Sequence, residues 1–156
     1  EVDSTFTNPI VNNGPDPWVY QKGDNYYYTH TMGNRIGLYK TKAVSQLKDA
    51  SSRTVWTPPA SGAYSRNLWA PELHYLSGKW YFYFAADDGN DANHRMFVIE
   101  NASADPTSGT WEFIGKVATP SDKWAIDGTV LEYDGQLYFI WSGWRGDNDP
   151  GIPESL

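Results

Sequence analysis

The segment Gly14-Pro15-Asp16-Pro17-Trp18-Val19-Tyr20 places one carboxylate between two prolines, directly before an aromatic strand. Proline fixes its own φ near about −65° and favours extended geometry for the residue before it. We therefore expect a stiff, extended backbone at Asp16 that points the carboxylate in one direction. Taken alone, the segment is more simply explained as a turn that enters a strand. Whether Asp16 has a functional role depends on whether similar acidic positions recur along the chain.

The chain reads as short strands separated by turns, and no segment has the 3.6-residue periodicity of an amphipathic helix. The polar stretch 43–52 is expected to be a connection with at most one helical turn. The predicted strands are residues 18–21, 25–30, 36–41, 54–57, 73–76, 80–85, 95–100, 111–117, 129–133 and 136–141.

Three of these strand pairs are hairpins whose turn glycines lie at Gly23, Gly78 and Gly135, which are 55 and 57 residues apart. A four-stranded unit that repeats every ~40–50 residues is typical of a β-propeller, in which each unit forms one blade. The sequence therefore predicts an all-β propeller whose blades carry long loops. A β-sandwich also contains hairpins, but it does not account for the equal spacing.

An acidic residue recurs near the start of each predicted blade, at Asp16, Glu72 and Asp127, with intervals of 56 and 55 residues. The innermost strands of a propeller begin around one central channel, so equivalent positions converge in space. Like charges in close proximity raise one another's pKa, and such crowding is characteristic of functional sites. We expect these three carboxylates to meet at one mouth of the channel.

Composition limits the classes of function. The 156 residues have the length of one ordinary domain. The net charge of −7 and the lack of a basic run argue against nucleic acid and anionic membranes as partners. The chain has 25 aromatic residues (8 Trp, 11 Tyr and 6 Phe). Aromatic rings suit both a β-sheet core and stacking on sugar rings. No cysteine is present, so disulfides and thiol chemistry are excluded.

The first residues, Glu1-Val2-Asp3-Ser4-Thr5, lack the basic and apolar regions of a signal peptide. We expect a secreted protein whose leader has been removed, with a cytoplasmic location as the alternative. Asn101-Ala102-Ser103 matches the acceptor triplet for N-glycosylation of a secreted eukaryotic protein.

Five motifs in order along the chain resemble the successive blades of glycoside hydrolase family 43. The motifs are Pro15-Asp16-Pro17, Asn67-Leu68-Trp69-Ala70-Pro71-Glu72-Leu73, His94-Arg95-Met96-Phe97-Val98, Trp124-Ala125-Ile126-Asp127-Gly128 and Trp141-Ser142-Gly143-Trp144. The resemblance implies a five-bladed propeller, of which this chain supplies about two and a half to three blades. Residues 1–156 are then the N-terminal part of a single catalytic propeller domain that is incomplete in this chain. It also implies an inverting enzyme that releases α-L-arabinofuranose from arabinan or arabinoxylan side chains.

The resemblance gives Asp16 the role of the general base and Asp127 that of the carboxylate that orients the general acid and tunes its pKa. It makes candidate substrate-binding residues of Trp18, Trp69, Glu72, His94 and Trp144. Glu72 is also explained as a hydrogen-bonded structural acid, Trp18 as a core residue and His94 as part of a surface loop. No cofactor is required, and a structural calcium ion stays possible, with its ligands unknown.

The family's general acid is a glutamate of a later blade, and Glu154 is a poor substitute because it follows the third hairpin. We therefore expect the C-terminal half of the propeller, from the same or a second chain, to be a partner of this one, without which it is inactive. Four alternatives stay open. They are a non-catalytic sugar-binding propeller, a β-xylosidase or endo-arabinanase of the same family, a retaining fructan-cleaving propeller, and a scaffold or interaction propeller.

Overall fold

The computed structural model describes residues 5–146, which form ten strands in three antiparallel sheets. Short 3-10 turns lie at Val44–Asp49 and Asp91–Asn93, and the all-β prediction is confirmed. The strands are β1 Trp18–Lys22, β2 Asn25–Thr29, β3 Ile36–Thr41, β4 Ser52–Trp56, β5 Arg66–Leu76, β6 Lys79–Asp87, β7 Arg95–Asn101, β8 Glu112–Lys116, β9 Ala125–Tyr133 and β10 Gln136–Gly143.

Each sheet follows the order of the sequence. The first sheet has the order β1-β2-β3-β4, the second sheet β5-β6-β7-β8, and the third sheet consists of β9 and β10. All ten predicted strands are therefore present, in three units that each start with a hairpin. Within residues 5–146 no helix is long and apolar enough to cross a membrane.

Two-residue turns close the three hairpins. The turn residues Ser77 and Gly78 have φ of 48° and 87°, and Asp134 and Gly135 have φ of 49° and 71°. Two successive positive φ values are typical of type I′ turns, whose twist matches that of the flanking strands. In the first hairpin the positive φ of 56° is at Gly23, the first turn residue. The three glycines therefore do not occupy one equivalent position.

Strand β5 starts at Arg66 instead of the predicted Leu73, so it carries Pro71 in its interior. Its pairing with β6 shifts register between Arg66 and Trp69 and again between Trp69 and Glu72. Proline cannot donate a backbone hydrogen bond and is accepted in sheets at such irregularities. The proline therefore explains why the sequence does not predict the first half of β5 as a strand.

The main core lies between the first and second sheets and contains 12 buried residues. Trp80 is fully buried at its centre, with ring centroids 5.5 Å from Tyr20 and 5.3 Å from Tyr27. Burial of such large rings is the principal stabilising term of this interface. The buried set is Tyr27, Ile36, Leu38, Leu68, Leu73, Trp80, Phe82, Phe84, Ala86, Phe97, Ile99 and Trp111.

A smaller core, formed around buried Ala85, Met96 and Ala125, joins the second sheet to the third. Gly128 is required there, because a Cβ atom at that position would lie 2.3 Å from the Phe139 ring. The same Cβ atom would lie 2.7 Å from the Met96 methyl group of β7, so the lack of a side chain at Gly128 lets β9 pack closely against the second sheet.

The glycosylation prediction for Asn101 is wrong. Asn101 is 1% exposed, and its amide donates to the backbone oxygen of Ser108 at 2.7 Å. Its Oδ1 accepts the Ser103 N–H at 2.7 Å, so the triplet forms a structural turn.

Candidate active site

Asp16, Glu72 and Asp127 line one cavity of about 210 Å³ at the junction of the three sheets. The remaining wall is Pro17, Trp18, Ala70 and Pro71. The first carboxylate lies two residues before β1, the second lies in β5 and the third in β9. The fold thus brings together three acidic groups that are far apart in sequence.

Asp16, Ala70 and Asp127 occupy the same position in the three sheets, seven residues before the first turn residue of their hairpins. Their φ values are 52°, 43° and 52°, in the left-handed region that L residues rarely adopt. The first turn residues are Gly23, Ser77 and Asp134.

Two sequence expectations are corrected by this geometry. The backbone at Asp16 is left-handed and not extended, although Pro17 follows it. The equivalent of Asp16 in the second sheet is Ala70, whereas Glu72 lies two residues further along β5. Glu72 therefore reaches the cavity from a different position of the repeat.

Thr31, two residues beyond the end of β2, holds Asp16 in place. Its hydroxyl donates to Asp16 Oδ2 at 2.6 Å and accepts the Ala70 N–H at 2.6 Å. Its backbone N–H donates to the Pro15 oxygen at 2.9 Å. One side chain therefore connects the first and second sheets at two strained backbone positions. Sequence reasoning missed it, because its partner Ala70 is 39 residues away.

Glu72 is partly buried, with 19% of its side chain exposed, and its Oε2 lies 3.1 Å from His74 Nε2. The His74 ring in turn packs against Trp18 with centroids 5.1 Å apart. Trp18 donates its indole N–H to the Leu73 oxygen at 2.9 Å. These contacts support a structural role for Glu72 and Trp18, and both residues still line the cavity.

The pKa of Asp127 is raised, first by partial burial and then by the negative charges of Asp16 and Glu72. Both causes disfavour the ionised carboxylate. Asp16 and Glu72 therefore lie close enough to Asp127 for their charges to disfavour its ionisation. Raised carboxyl pKa values of this origin are typical of acid–base sites.

A row of aromatic rings lies beside the cavity. Trp69 stacks on His94 with centroids 3.9 Å apart and an interplanar angle of 26°. The edge of His94 meets Trp124 at 6.4 Å, and Trp124 stacks on Trp144 at 5.1 Å. None of these four rings is part of the wall of the carboxylate cavity.

His94 is completely buried, which argues against the predicted contact with substrate. Its Nε2 lies 3.2 Å from the Asn67 oxygen, and its Nδ1 lies 3.1 Å from Oδ2 of buried Asp87. Both ring nitrogens therefore lie within hydrogen-bonding distance of acceptors, and Nδ1 also lies 3.2 Å from the Asp91 backbone oxygen. The Asp87 oxygens accept from Asn67 Nδ2 at 3.0 Å. The buried His94 ring therefore provides the surface on which Trp69 stacks.

Asp87, Asp91 and His94 also have the spacing of a metal site, since their ligand atoms lie within 4.8 Å of one another. His94 Nδ1 has a hydrogen-bond partner in the Asp91 backbone oxygen at 3.2 Å, so this nitrogen is already engaged within the protein. Calcium prefers oxygen ligands, so these residues do not form a calcium site of the usual kind.

A larger cavity of about 530 Å³ lies between the N-terminal segment and the first sheet. Its wall includes Lys48 and no acidic residue, so it lacks the groups needed for carboxylate acid–base chemistry. The smaller carboxylate cavity is therefore the better candidate for an active site.

The family model for glycosyl hydrolases family 43 matches residues 6–153. Among curated relatives, an extracellular exo-α-(1→5)-L-arabinofuranosidase of Streptomyces avermitilis is 38% identical over 142 residues, covering 88% of this chain and 30% of the relative. Another of the same name, from Streptomyces chartreusis, is 35% identical and is covered to 47%, with 94% of this chain aligned. The chain thus spans less than half the length of these relatives.

Among solved structures, the α-L-arabinofuranosidase from Lactobacillus brevis superposes with a TM-score of 0.84 and is 34% identical. The match covers 94% of this chain and 48% of that structure. Both the sequence and the sheet arrangement therefore match one group of enzymes. The chain belongs to glycosyl hydrolases family 43.

Proposed function

We propose that this chain is the N-terminal part of an inverting glycoside hydrolase that releases α-L-arabinofuranose from arabinan or arabinoxylan side chains. The observation that carries the proposal is the cavity in which Asp16, Glu72 and Asp127 meet. Relatives named as arabinofuranosidases favour this substrate, and the extracellular names of two of them favour secretion. Membership of the family supports glycoside hydrolysis itself.

In the proposed mechanism, Asp16 takes a proton from water as that water attacks the anomeric carbon. The leaving oxygen receives a proton from a general acid on the opposite face of the sugar. Inverting enzymes hold these two carboxyl groups roughly 6.5–9.5 Å apart, which leaves room for the water. Asp127, when ionised, orients the acid and raises its pKa by charge repulsion, so that the acid keeps its proton until transfer.

The general acid is assigned to a blade beyond the described residues. The exposed face of the third sheet supports the existence of such blades. Cross-strand pairing puts Leu131 opposite Tyr138, with Tyr133 and Ile140 on the same face. These four side chains are between 46% and 69% exposed. In the proposed propeller, further strands complete this sheet and the next blade covers its apolar face.

The test is the activity of the full-length protein on 4-nitrophenyl α-L-arabinofuranoside and on arabinan, compared with its Asp16→Asn variant. We expect kcat to fall by about 10²–10⁴-fold in the variant, because the base is lost while the side-chain shape is kept. NMR of the first product formed should show the β-anomer of arabinose, as inversion requires.

Asp24→Asn is the matched control, because Asp24 is an exposed aspartate of the hairpin turn in the same sheet. It should leave kcat unchanged. Retention of most activity by Asp16→Asn would refute the assignment of the base. Binding of arabinan by an intact protein that releases no sugar would favour a non-catalytic sugar-binding propeller.

A further inference from the structure

We propose that Thr31 is a positioning residue for the general base: its hydroxyl locks the Asp16 carboxylate and ties it to the second sheet. This inference rests on the proposed function, in which Asp16 activates water. Nothing in the sequence motifs singles out Thr31, which follows β2 and lies outside all five of them.

The direction of the hydrogen bonds follows from proton counting. A threonine hydroxyl has one proton and accepts through its lone pairs. The Ala70 N–H reaches the Thr31 oxygen at 2.6 Å, so that oxygen acts as acceptor there. The single hydroxyl proton is therefore free for Asp16 Oδ2, also at 2.6 Å. The other carboxylate oxygen of Asp16 is left to receive the proton from water.

The hydrogen bond from Thr31 opposes two effects that would displace the Asp16 carboxylate. Its left-handed φ of 52° is a strained conformation for a residue that is not glycine. The negative charge of Asp127 across the same cavity repels the carboxylate. A hydrogen bond to an ionised acceptor is among the stronger kinds, and this one is anchored on the second sheet through Ala70. The base therefore keeps one orientation while the cavity stays negatively charged.

The Thr31 backbone N–H bond to the Pro15 oxygen at 2.9 Å is independent of the side chain. Replacing the side chain thus removes the carboxylate lock without removing the backbone contact beside it. Valine has the shape of threonine but no hydroxyl, and serine has the hydroxyl without the methyl group. These two substitutions separate hydrogen bonding from packing.

The experiment compares Thr31→Val and Thr31→Ser in the full-length protein by steady-state kinetics on 4-nitrophenyl α-L-arabinofuranoside. We expect kcat of Thr31→Val to fall by roughly 10–100-fold with little change in KM, because a displaced base impairs the chemical step. Thr31→Ser should keep most of the wild-type kcat. Thr29→Val is the control, since its buried hydroxyl donates to the Gly37 oxygen at 2.8 Å within the first sheet. It should affect stability and leave kcat unchanged.

An unchanged kcat in Thr31→Val, alongside an inactive Asp16→Asn, would overturn the role of Thr31 and leave the base assignment standing. Activity in Asp16→Asn would instead remove the proposed function itself. An equal loss in Thr31→Val and Thr31→Ser would assign the effect to packing and would also contradict the lock. If Thr31→Val fails to fold, Thr31→Ala and Thr31→Ser supply the same comparison.

Discussion

Asp16 and Asp127 are equivalent residues of two different sheets, each at φ 52° and each seven residues before a hairpin turn. The third member of this set is Ala70, whose backbone N–H bonds to the threonine that holds Asp16. The repeat thus supplies two carboxylates from identical backbone positions. The same left-handed bend at both positions directs them into one cavity.

Asp127→Asn should lower kcat by roughly 10²-fold or more, because the charge that we propose to orient the general acid is lost. Without that negative charge the pKa of the acid falls, so the alkaline limb of the pH–rate profile moves to lower pH. The profile of kcat against pH measures both effects. Asparagine tolerates positive φ, so the substitution adds no backbone strain that would itself change kcat.

The same substitution should stabilise the fold at neutral pH. The pKa of Asp127 is raised in the folded state, so its ionisation disfavours folding as pH rises through the ordinary and then the raised value. Removing the charge should gain less than about 1 kcal/mol, since the group keeps contact with solvent. Urea unfolding at pH 7 tests this, with Asp134→Asn, at φ 49° in an exposed turn, as the control. A less stable Asp127→Asn protein would contradict the electrostatic account.

Trp69→Ala should raise KM on arabino-oligosaccharides by about 10-fold, equivalent to ~1.4 kcal/mol, with a smaller change in kcat. One face of the indole stacks on His94, so a sugar bound by Trp69 would have to stack on the opposite face. Trp69→Phe keeps a smaller ring and should lie between the two. Kinetics with substrates of increasing length measure the effect, and an unchanged KM in Trp69→Ala would assign Trp69 to the core.

His30→Phe should reduce the loss of stability on acidification. Burial, followed by the positive charge of Arg35, lowers the pKa of His30, and its Nδ1 is buried without a hydrogen-bond partner. The unfolded chain therefore takes up a proton below about pH 6.5 that the folded chain refuses, which favours unfolding as pH falls. The rings of Tyr28 and Tyr39 pack beside it and suit phenylalanine at this position.

Urea unfolding at pH 7 and pH 5 measures this difference for both proteins. One proton gives a slope of at most about 1.4 kcal/mol per pH unit, and the variant should lack this contribution. The carboxylates and the other histidines affect both proteins alike and cancel in the comparison. Parallel stability curves would mean that His30 takes up its proton equally in both states.

The 156-residue chain produced by itself should self-associate and show no activity, because the apolar face of its third sheet has no covering partner within residues 5–146. Sedimentation at several concentrations measures this. Leu131→Lys combined with Ile140→Lys should make the chain alone more monomeric and should destabilise the full-length protein. A wild-type chain that is monomeric and active would contradict the assignment of further blades.

Much of the fold is predictable from local patterns. Alternating aromatic residues and turn glycines predict all ten strands, since period-two burial and positive φ are local requirements. The beginnings of β5 and β9 are not predicted. Pro71 argues locally against a strand, and only the bulges in the pairing with β6 accommodate it.

The candidate site shows the same division. The spacing of Asp16 and Asp127 predicts that they converge, because equivalent repeat positions are related by the arrangement of the sheets. The spacing also pairs Glu72 with them, but counting back from the hairpin turns puts Ala70, and not Glu72, at the equivalent position. His94 resembles a site residue by its motif, yet tertiary packing buries it beneath Trp69 against Asp87.

By itself, the sequence determined the all-β class, the repeat and the identity of the two equivalent aspartates, because these depend on residue type and spacing. Only the tertiary structure showed the left-handed backbone at Asp16 and its hydrogen bond with Thr31. It also showed that Ala70, and not Glu72, is the equivalent residue of the second sheet. The reason is physical. A strained φ next to proline persists only when surrounding contacts hold it, and those contacts come from residues 15 to 39 positions away.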